Sequence, residues 1–247
     1  MIDPIAFRLG PFMIHWYGII LTSAMLLGIF LAGRQAVKQQ VDPEHIYNLG
    51  ILLIPLSVIG ARIYYVIFNW SYYRLNPGEI IAVWHGGLAI HGGVITGLLV
   101  GYAYCRWQKI HFGLMCDLFA PSLILGQAIG RWGNFVNQEA YGRETNLPWA
   151  MYIDGAYRHP TFLYESLWNI GVFLFLLWQR KNNRSLKEGD LFLLYVMGYS
   201  VGRFFIEGLR TDSLLLGSLR MAQVVSLTGL AVAAVWFSLR HFKRSHA

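Results

Sequence analysis

Three stretches of this chain contain no Asp, Glu, Lys or Arg at all: Leu9 to Gly33, Ile80 to Cys105 and Met221 to Leu239. Each is longer than the roughly 17 residues with which an α-helix crosses the hydrocarbon core of a bilayer. A soluble globule can bury one such run, but not three. Nor is there polar surface to cover one. Charged residues make up 13% of the 247, against about 25% in soluble domains, and the mean hydropathy is +0.43. The fold class these features require is an all-α integral membrane protein.

The apolar segments predict about seven transmembrane helices, near 14–35, 46–68, 86–106, 115–137, 161–180, 190–208 and 221–240. Arg131, Glu165 and Arg203 interrupt the fourth, fifth and sixth. No basic stretch marks a cleavable signal, so the first run is expected to stay as a helix. No Ser- or Pro-rich linker divides the chain, and residues 1–247 are expected to form a single polytopic membrane domain. The longest polar connection, near 138–160, is the expected small extracytoplasmic loop region.

The formal charge of +7 sits at the ends of apolar runs. That placement anchors topology and argues against a nucleic-acid partner. One side holds eleven basic residues: Arg34, Lys38, Arg106, Lys109, Arg180, Lys181, Arg184, Lys187, Arg240, Lys243 and Arg244. The other holds six: Arg8, Arg74, Arg143, Arg158, Arg210 and Arg220. The positive-inside rule then puts the N-terminus outside and the C-terminus in the cytoplasm. Trp16, Tyr17, Trp70, Tyr72, Tyr73 and Trp149 near span ends suit an interfacial belt. Cys105 and Cys116 offer neither a disulfide framework nor metal spacing, and the histidines lack ligand spacing. No metal and no cofactor is expected.

What remains inside the spans carries the chemistry. Arg62, Arg131 and Arg203 lie in segments two, four and six, about 18–24 Å from each segment's start at 1.5 Å per residue. All three therefore fall in the outer half of the membrane. An arginine at mid-bilayer costs about 2.5–3.5 kcal/mol on insertion scales, so each needs compensation. Pairing with Glu139, Glu165 or Glu207, or snorkelling to the interface, is one explanation, and the favoured one for Arg62.

Around Arg131 and Arg203 other polar residues gather. The stretch G-R-W-G-N-F-V-N-Q-E-A-Y-G over 130–142 places Asn134, Asn137 and Glu139 within about two turns of Arg131, with Asn134 on the same face at i+3. Arg203, Glu207 and Arg210 follow at spacings of four and three. Arginine is in excess, and a guanidinium fork binds phosphate bidentately, which points to a phospholipid head group. Residues 85–93, H-G-G-L-A-I-H-G-G, set His91 between glycines at the same depth. Gly93, Gly97 and Gly101 form a ridge of small residues suited to helix packing. His85 reads as structural.

Together these motifs resemble the prolipoprotein diacylglyceryl transferase family of bacterial inner membranes, over nearly the whole chain. The resemblance rests on H-W-Y-G at 15–18, G-A-R at 60–62, the segment 85–93, G-R-W-G-N-F-V-N-Q-E at 130–139, R-H-P-T at 158–161, Y-E at 164–165 and R-F-F-I-E-G-L-R at 203–210. It implies a seven-helix enzyme of the cytoplasmic membrane. Such an enzyme moves diacylglyceryl from phosphatidylglycerol to the lipobox cysteine of a secreted prolipoprotein precursor, releasing glycerol phosphate. Arg131 and Arg203 match the family's essential arginines; Tyr17, His91, Asn134, Glu139, Glu207 and Arg210 match other motif positions.

On this reading Arg131, Arg203 and His91 are catalytic, with His91 as base or proton relay. Tyr17, Asn134, Asn137, Glu139, Glu207, Arg210 and Arg62 bind or support the phospholipid. Two positions depart from the family pattern: His85 stands where Asp is frequent, and Phe162 where the segment often carries Gln. Taken without the resemblance, a lipid or anion transporter and a structural subunit with paired charges remain alternatives. The absence of a convincing inverted repeat weighs against the first.

Overall fold

The computed structural model describes residues 3–10, 12–211, 215–216 and 219–242. An N-terminal hairpin of β1 (Ile5–Leu9) and β2 (Phe12–His15) leads into α1 (Trp16–Lys38). After α2 (Pro43–Phe68) and the single turn α3 (Trp70–Tyr73) come two 3₁₀ turns, Pro77–Ile81 and Val83–His85, and then α4 (Ile90–Gln108). Next are α5 (Phe112–Val136), a hairpin of β3 (Met151–Ile153) and β4 (Ala156–Arg158), α6 (Thr161–Asn182) and α7 (Asp190–Glu207). A two-residue ladder of β5 (Leu215–Leu216) and β6 (Leu219–Arg220) precedes α8 (Met221–Phe242).

The molecule is mostly helical, and α1, α2, α5, α6 and α8 are long and apolar enough to cross a membrane. The other two long helices are α4, with 19 residues, and α7, with 18. Within α7 three charged residues, Asp190, Arg203 and Glu207, dilute the apolar run. Lys243 and Arg244, counted above among the basic residues, lie outside the described residues.

Local signals explain most helix ends. Asp42 caps α2, its carboxylate accepting from the Glu44 N–H at 2.9 Å, with Pro43 at the first helical position. Pro55 and Pro121 lie inside α2 and α5, a placement membrane helices tolerate. Starts differ from expectation by two or three residues at α1, α2 and α5 and most at α4, which begins at Ile90, not near 86. Gly86 and Gly87 adopt φ of 84° and 75°, a left-handed conformation that ends helical hydrogen bonding and turns their carbonyls towards a buried arginine, described below.

The chain folds as two compact units, one of residues 33–115 and one of 1–32 with 116–247. In the first, α2 and α4 pack where glycines remove side-chain bulk. A Cβ on Gly92 would strike the Gly60 carbonyl, and one on Gly60 would strike Thr96. The expected ridge is only part of this contact. A Cβ on Gly93 or Gly97 would come within 3.4 Å of Ser57, and one on Gly101 within 3.6 Å of Phe112, so the closest approach falls one residue off the ridge, at Gly92.

In the second unit, Ala120 and Ile124 of α5, Val172 and Leu176 of α6, and Leu191 and Tyr195 of α7 form a buried cluster. Gly198 and Gly202 of α7 accept Val172 and Trp168 of α6 against the backbone, and the Trp168 indole donates to the Gly198 carbonyl at 2.9 Å. Asp117 of α5 caps α7, its carboxylate accepting from the N–H groups of Gly189 at 2.6 Å and Phe192 at 2.8 Å. This packing sets the register of α5, α6 and α7, and so the positions of their charged residues.

Candidate functional site

Arg131 near the end of α5 and Arg203 near the end of α7 meet on one carboxylate. Glu165, one turn into α6 and 3% exposed, receives Arg131 Nη2 at 2.7 Å on Oε2 and Arg203 Nη1 at 2.9 Å on Oε1. Arg203 also reaches Glu207 Oε2 at 2.7 Å through Nη2, the i,i+4 contact its spacing predicts. Arg210, in the turn that closes α7, lies 3.7 Å from Glu165 and 3.8 Å from Glu207. Arg220 donates to the Glu207 carbonyl.

Internal pairing is therefore more extensive than the sequence suggested. The excess of arginine survives in another form, because Glu165 and Glu207 are shared among the three guanidinium groups of Arg131, Arg203 and Arg210. Each of the five-donor forks of Arg131 and Arg203 retains N–H groups beyond its described contacts. Glu165 is absent from the residues the sequence singled out as a site, where it stands as a possible counter-ion, a break in the fifth segment and part of the Y-E motif. Its signal was an ionisable residue in an apolar span, functional by default in a membrane helix.

The asparagines extend the network. Because α5 continues to Val136, Asn134 falls on the face of Arg131 and accepts from its Nη1 at 3.3 Å. Asn134 then donates to Glu139 Oε1 at 2.9 Å, and Asn137 donates to the same oxygen at 3.4 Å. Gln138 and Ala140, on either side of Glu139, hold φ of 54° and 58°, conformations that cost side-chain-bearing residues energy and persist only where contacts enforce them. Those contacts are present. Thr161 Oγ1 donates to the Ala140 carbonyl at 2.6 Å, Gln138 Oε1 accepts from Asp154 N–H, and Gly142 and Arg143 N–H donate to the carbonyls of His159 and Leu209. The segment 137–160 is thereby tied to the start of α6 and the end of α7. Tyr17 packs its ring against Gly133, where a Cβ would come within 2.5 Å of it.

Phe162, where the resemblance led one to look for Gln, is buried and stacks on Phe135 with centroids 4.5 Å apart, next to Trp132. The Trp132 indole donates to Ser166 Oγ at 3.2 Å, and that hydroxyl donates to the Ala128 carbonyl at 2.9 Å. An aromatic wedge and two hydrogen bonds thus hold α5 against α6 directly beside the Arg131–Glu165 pair. In the connection between α5 and α6, burial and the neighbouring Arg143 charge hold His159 below the usual histidine pKa. Its Nδ1 lies 3.3 Å from the Tyr164 hydroxyl, which accepts from Trp149 at 2.8 Å.

Arg62 and His91 belong to the unit formed by 33–115. Arg62 is 5% exposed and directs all five N–H groups at carbonyl oxygens: Nε at Ile80, Nη1 at Gly86 and Gly87, Nη2 at Glu79 and Ala82, at 2.5–3.3 Å. Its compensation comes from backbone dipoles, where a carboxylate partner or snorkelling to the interface was expected. These contacts tie the guanidinium of Arg62 to the backbone of 79–87. His85, the other departure from the family pattern, lies in this loop with Nδ1 2.8 Å from Glu79 Oε2. His91 opens α4, is exposed, and lies 6.1 Å centroid to centroid from the Tyr64 ring.

This architecture has clear relatives. The profile of the prolipoprotein diacylglyceryl transferase family matches residues 4–239. Three proteins, each named phosphatidylglycerol–prolipoprotein diacylglyceryl transferase, are similar over almost their full lengths. The Clostridioides difficile protein is 50% identical, with 97% of both chains covered. Those of Bacillus velezensis and Thermosynechococcus vestitus are each 48% identical, covering 98% and 92% of this chain and 93% and 88% of their own. On motif, match length and identity alike, this chain belongs to the prolipoprotein diacylglyceryl transferase family.

Proposed function

We infer that the chain transfers the diacylglyceryl group of phosphatidylglycerol to the lipobox cysteine of a prolipoprotein precursor, as a seven-span enzyme of the bacterial cytoplasmic membrane. Its N-terminus faces outward and its C-terminus lies in the cytoplasm. The observation that carries the reading is Glu165 shared between Arg131 and Arg203. One carboxylate aligns two guanidinium forks from different helices and leaves both with donors for the phosphodiester.

The reaction replaces one bond by another. The cysteine thiolate attacks the glyceryl carbon that carries the phosphate ester, a C–S bond forms, and the C–O bond breaks. The electron pair leaves with the oxygen of glycerol phosphate. Arg131 and Arg203 stabilise the charge gathering there, preorganised in a site of low dielectric. A free thiol has a pKa near 8.5 and reacts as its thiolate, so a proton acceptor is needed. His91, exposed at the head of α4, takes that role. Asn134, held between Arg131 and Glu139, fixes the first fork, with Asn137 on the same carboxylate. Glu207 and Arg210 support Arg203, and Tyr17 borders the site.

Incubating the purified protein with phosphatidylglycerol and a lipobox peptide tests the reading. It predicts release of glycerol phosphate together with a peptide heavier by one diacylglyceryl group on its cysteine. Lipid binding or flux without either product supports the transporter instead.

A further inference from the structure

We propose that a groove beside the C-terminal half of α8 is a second lipid site, which selects an anionic phospholipid from the leaflet opposite the arginine cluster. The groove, of about 690 Å³, is lined by Val232, Val235, Trp236 and Leu239 with Lys187 and Arg240. The four apolar residues follow i, i+3, i+4, i+7 spacing, so they form one stripe about 10 Å long on α8. Each is 57–61% exposed.

Both cations lie at the same end of that stripe, and both are held. Arg240 Nη1 lies 3.0 Å from Asp190 Oδ1 and its Nη2 donates to the Glu188 carbonyl at 2.7 Å. Asp190 is wholly buried and also receives His241 Nε2 and the Lys187 N–H, each at 2.7 Å. This anchors the end of α8 to the start of α7. Lys187 donates from Nζ to the Arg240 carbonyl, which uses one of three ammonium N–H groups and leaves its charge unneutralised by that contact. A lysine fixed beside an arginine above an open apolar stripe fits a phosphate with an acyl chain below it. Basic pockets at the cytoplasmic ends of membrane helices bind anionic head groups in this way. A zwitterionic lipid would bring an ammonium group against the same lysine, whose charge, unlike that of Arg240, has no carboxylate among its described contacts.

The site is not that of the donor lipid. Along α7, Asp190 and Arg203 are separated by about 20 Å at 1.5 Å per residue, so the two lipid sites face opposite leaflets.

Brominated lipids in vesicles test the proposal, with Trp236 as the local reporter. Subtracting the quenching of Trp236→Phe from that of wild type isolates this indole among the nine tryptophans. At equal mole fraction, the Trp236 signal should be quenched more by brominated phosphatidylglycerol than by brominated phosphatidylcholine. Lys187→Gln, which leaves the Arg240–Asp190 pair in place, should lower that preference about fivefold, the factor equivalent to ~1 kcal/mol for one lysine at a lipid surface. Equal quenching by both lipids in wild type, or an unchanged preference in Lys187→Gln, would overturn the proposal. So would quenching by neither together with a dimer in native mass spectrometry, which would assign the groove to a second copy of the chain.

Discussion

Glu165→Gln is the substitution that most sharply separates alignment of the arginines from mere positive charge. The glutamine keeps the shape of the side chain and one acceptor oxygen, but its other terminal atom becomes a donor facing a guanidinium. Arg131 at 2.7 Å and Arg203 at 2.9 Å sit on different oxygens of the carboxylate, so in the amide one fork faces an NH2 donor and loses its fixed orientation. Uncoupling a buried ion pair costs on the order of 3–5 kcal/mol of stability, and loss of one oriented donor in an electrostatic site lowers turnover roughly 10²–10³-fold. The predicted outcome is a kcat fall of that size, with KM for phosphatidylglycerol nearly unchanged because positive charge is not lost. Glu165→Asp keeps the charge but shortens the reach, and should fall between the two. The assay is glycerol phosphate release in lipid nanodiscs, alongside a melting curve in the same lipid. A Glu165→Gln enzyme within threefold of wild type, or one with lower KM and unaltered kcat, would show that net charge suffices and refute the alignment argument.

Arg131→Lys keeps the charge but not the planar fork, and should reduce turnover about 10²-fold or more while membrane insertion, followed by fractionation, is unaffected. Gly202→Ala sets a methyl against the Trp168 ring and should lower thermal stability by about 1–3 kcal/mol. Gly171→Ala, with open space around its Cβ, should be neutral or stabilising by about 0.5–1 kcal/mol. Arg62→Lys cannot reach five carbonyls and should loosen 79–87, read as faster amide exchange there, without raising KM for phosphatidylglycerol. The lowered pKa of His159 means that the folded loop binds fewer protons than the unfolded chain between its folded value and about 6.5. Its contribution to stability is therefore complete above pH 6.5 and declines as pH falls through that window. Protection of 137–160 should weaken on acidification, and His159→Gln should flatten the profile; an identical profile in the variant would contradict this.

The helices were legible because their signal is compositional: apolar runs of membrane length bounded by caps, glycines and basic residues. Each expected segment overlaps a long helix, five of these long and apolar enough to cross a membrane, and the most displaced start, at Ile90, comes from a glycine pair whose carbonyls answer Arg62. Spacing also revealed the contacts that lie along one helix, Arg131 with Asn134 and Arg203 with Glu207. Contacts between helices were not legible in that way. That Glu165 of α6 would join α5 to α7 depends on Trp168 settling over Gly202 and Phe162 over Phe135, and neither pairing is written in a local period. Arg62 shows the same limit from the other side. A buried arginine announces a need for compensation, but sequence cannot say whether carboxylate, phosphate or backbone supplies it.

The central claim is that the Arg131 and Arg203 forks, aligned by Glu165, hold the phosphate of the donor lipid. Solid-state NMR on protein labelled with ¹⁵N-arginine, in bilayers containing phosphatidylglycerol, measures it directly through dephasing of guanidinium nitrogen by ³¹P. Charge-assisted N–H···O contacts near 2.7–2.9 Å put those nuclei within about 4–5 Å. The account predicts strong dephasing in wild type, part of which disappears in Arg131→Lys and part in Arg203→Lys. Dephasing identical in wild type and both variants would contradict it.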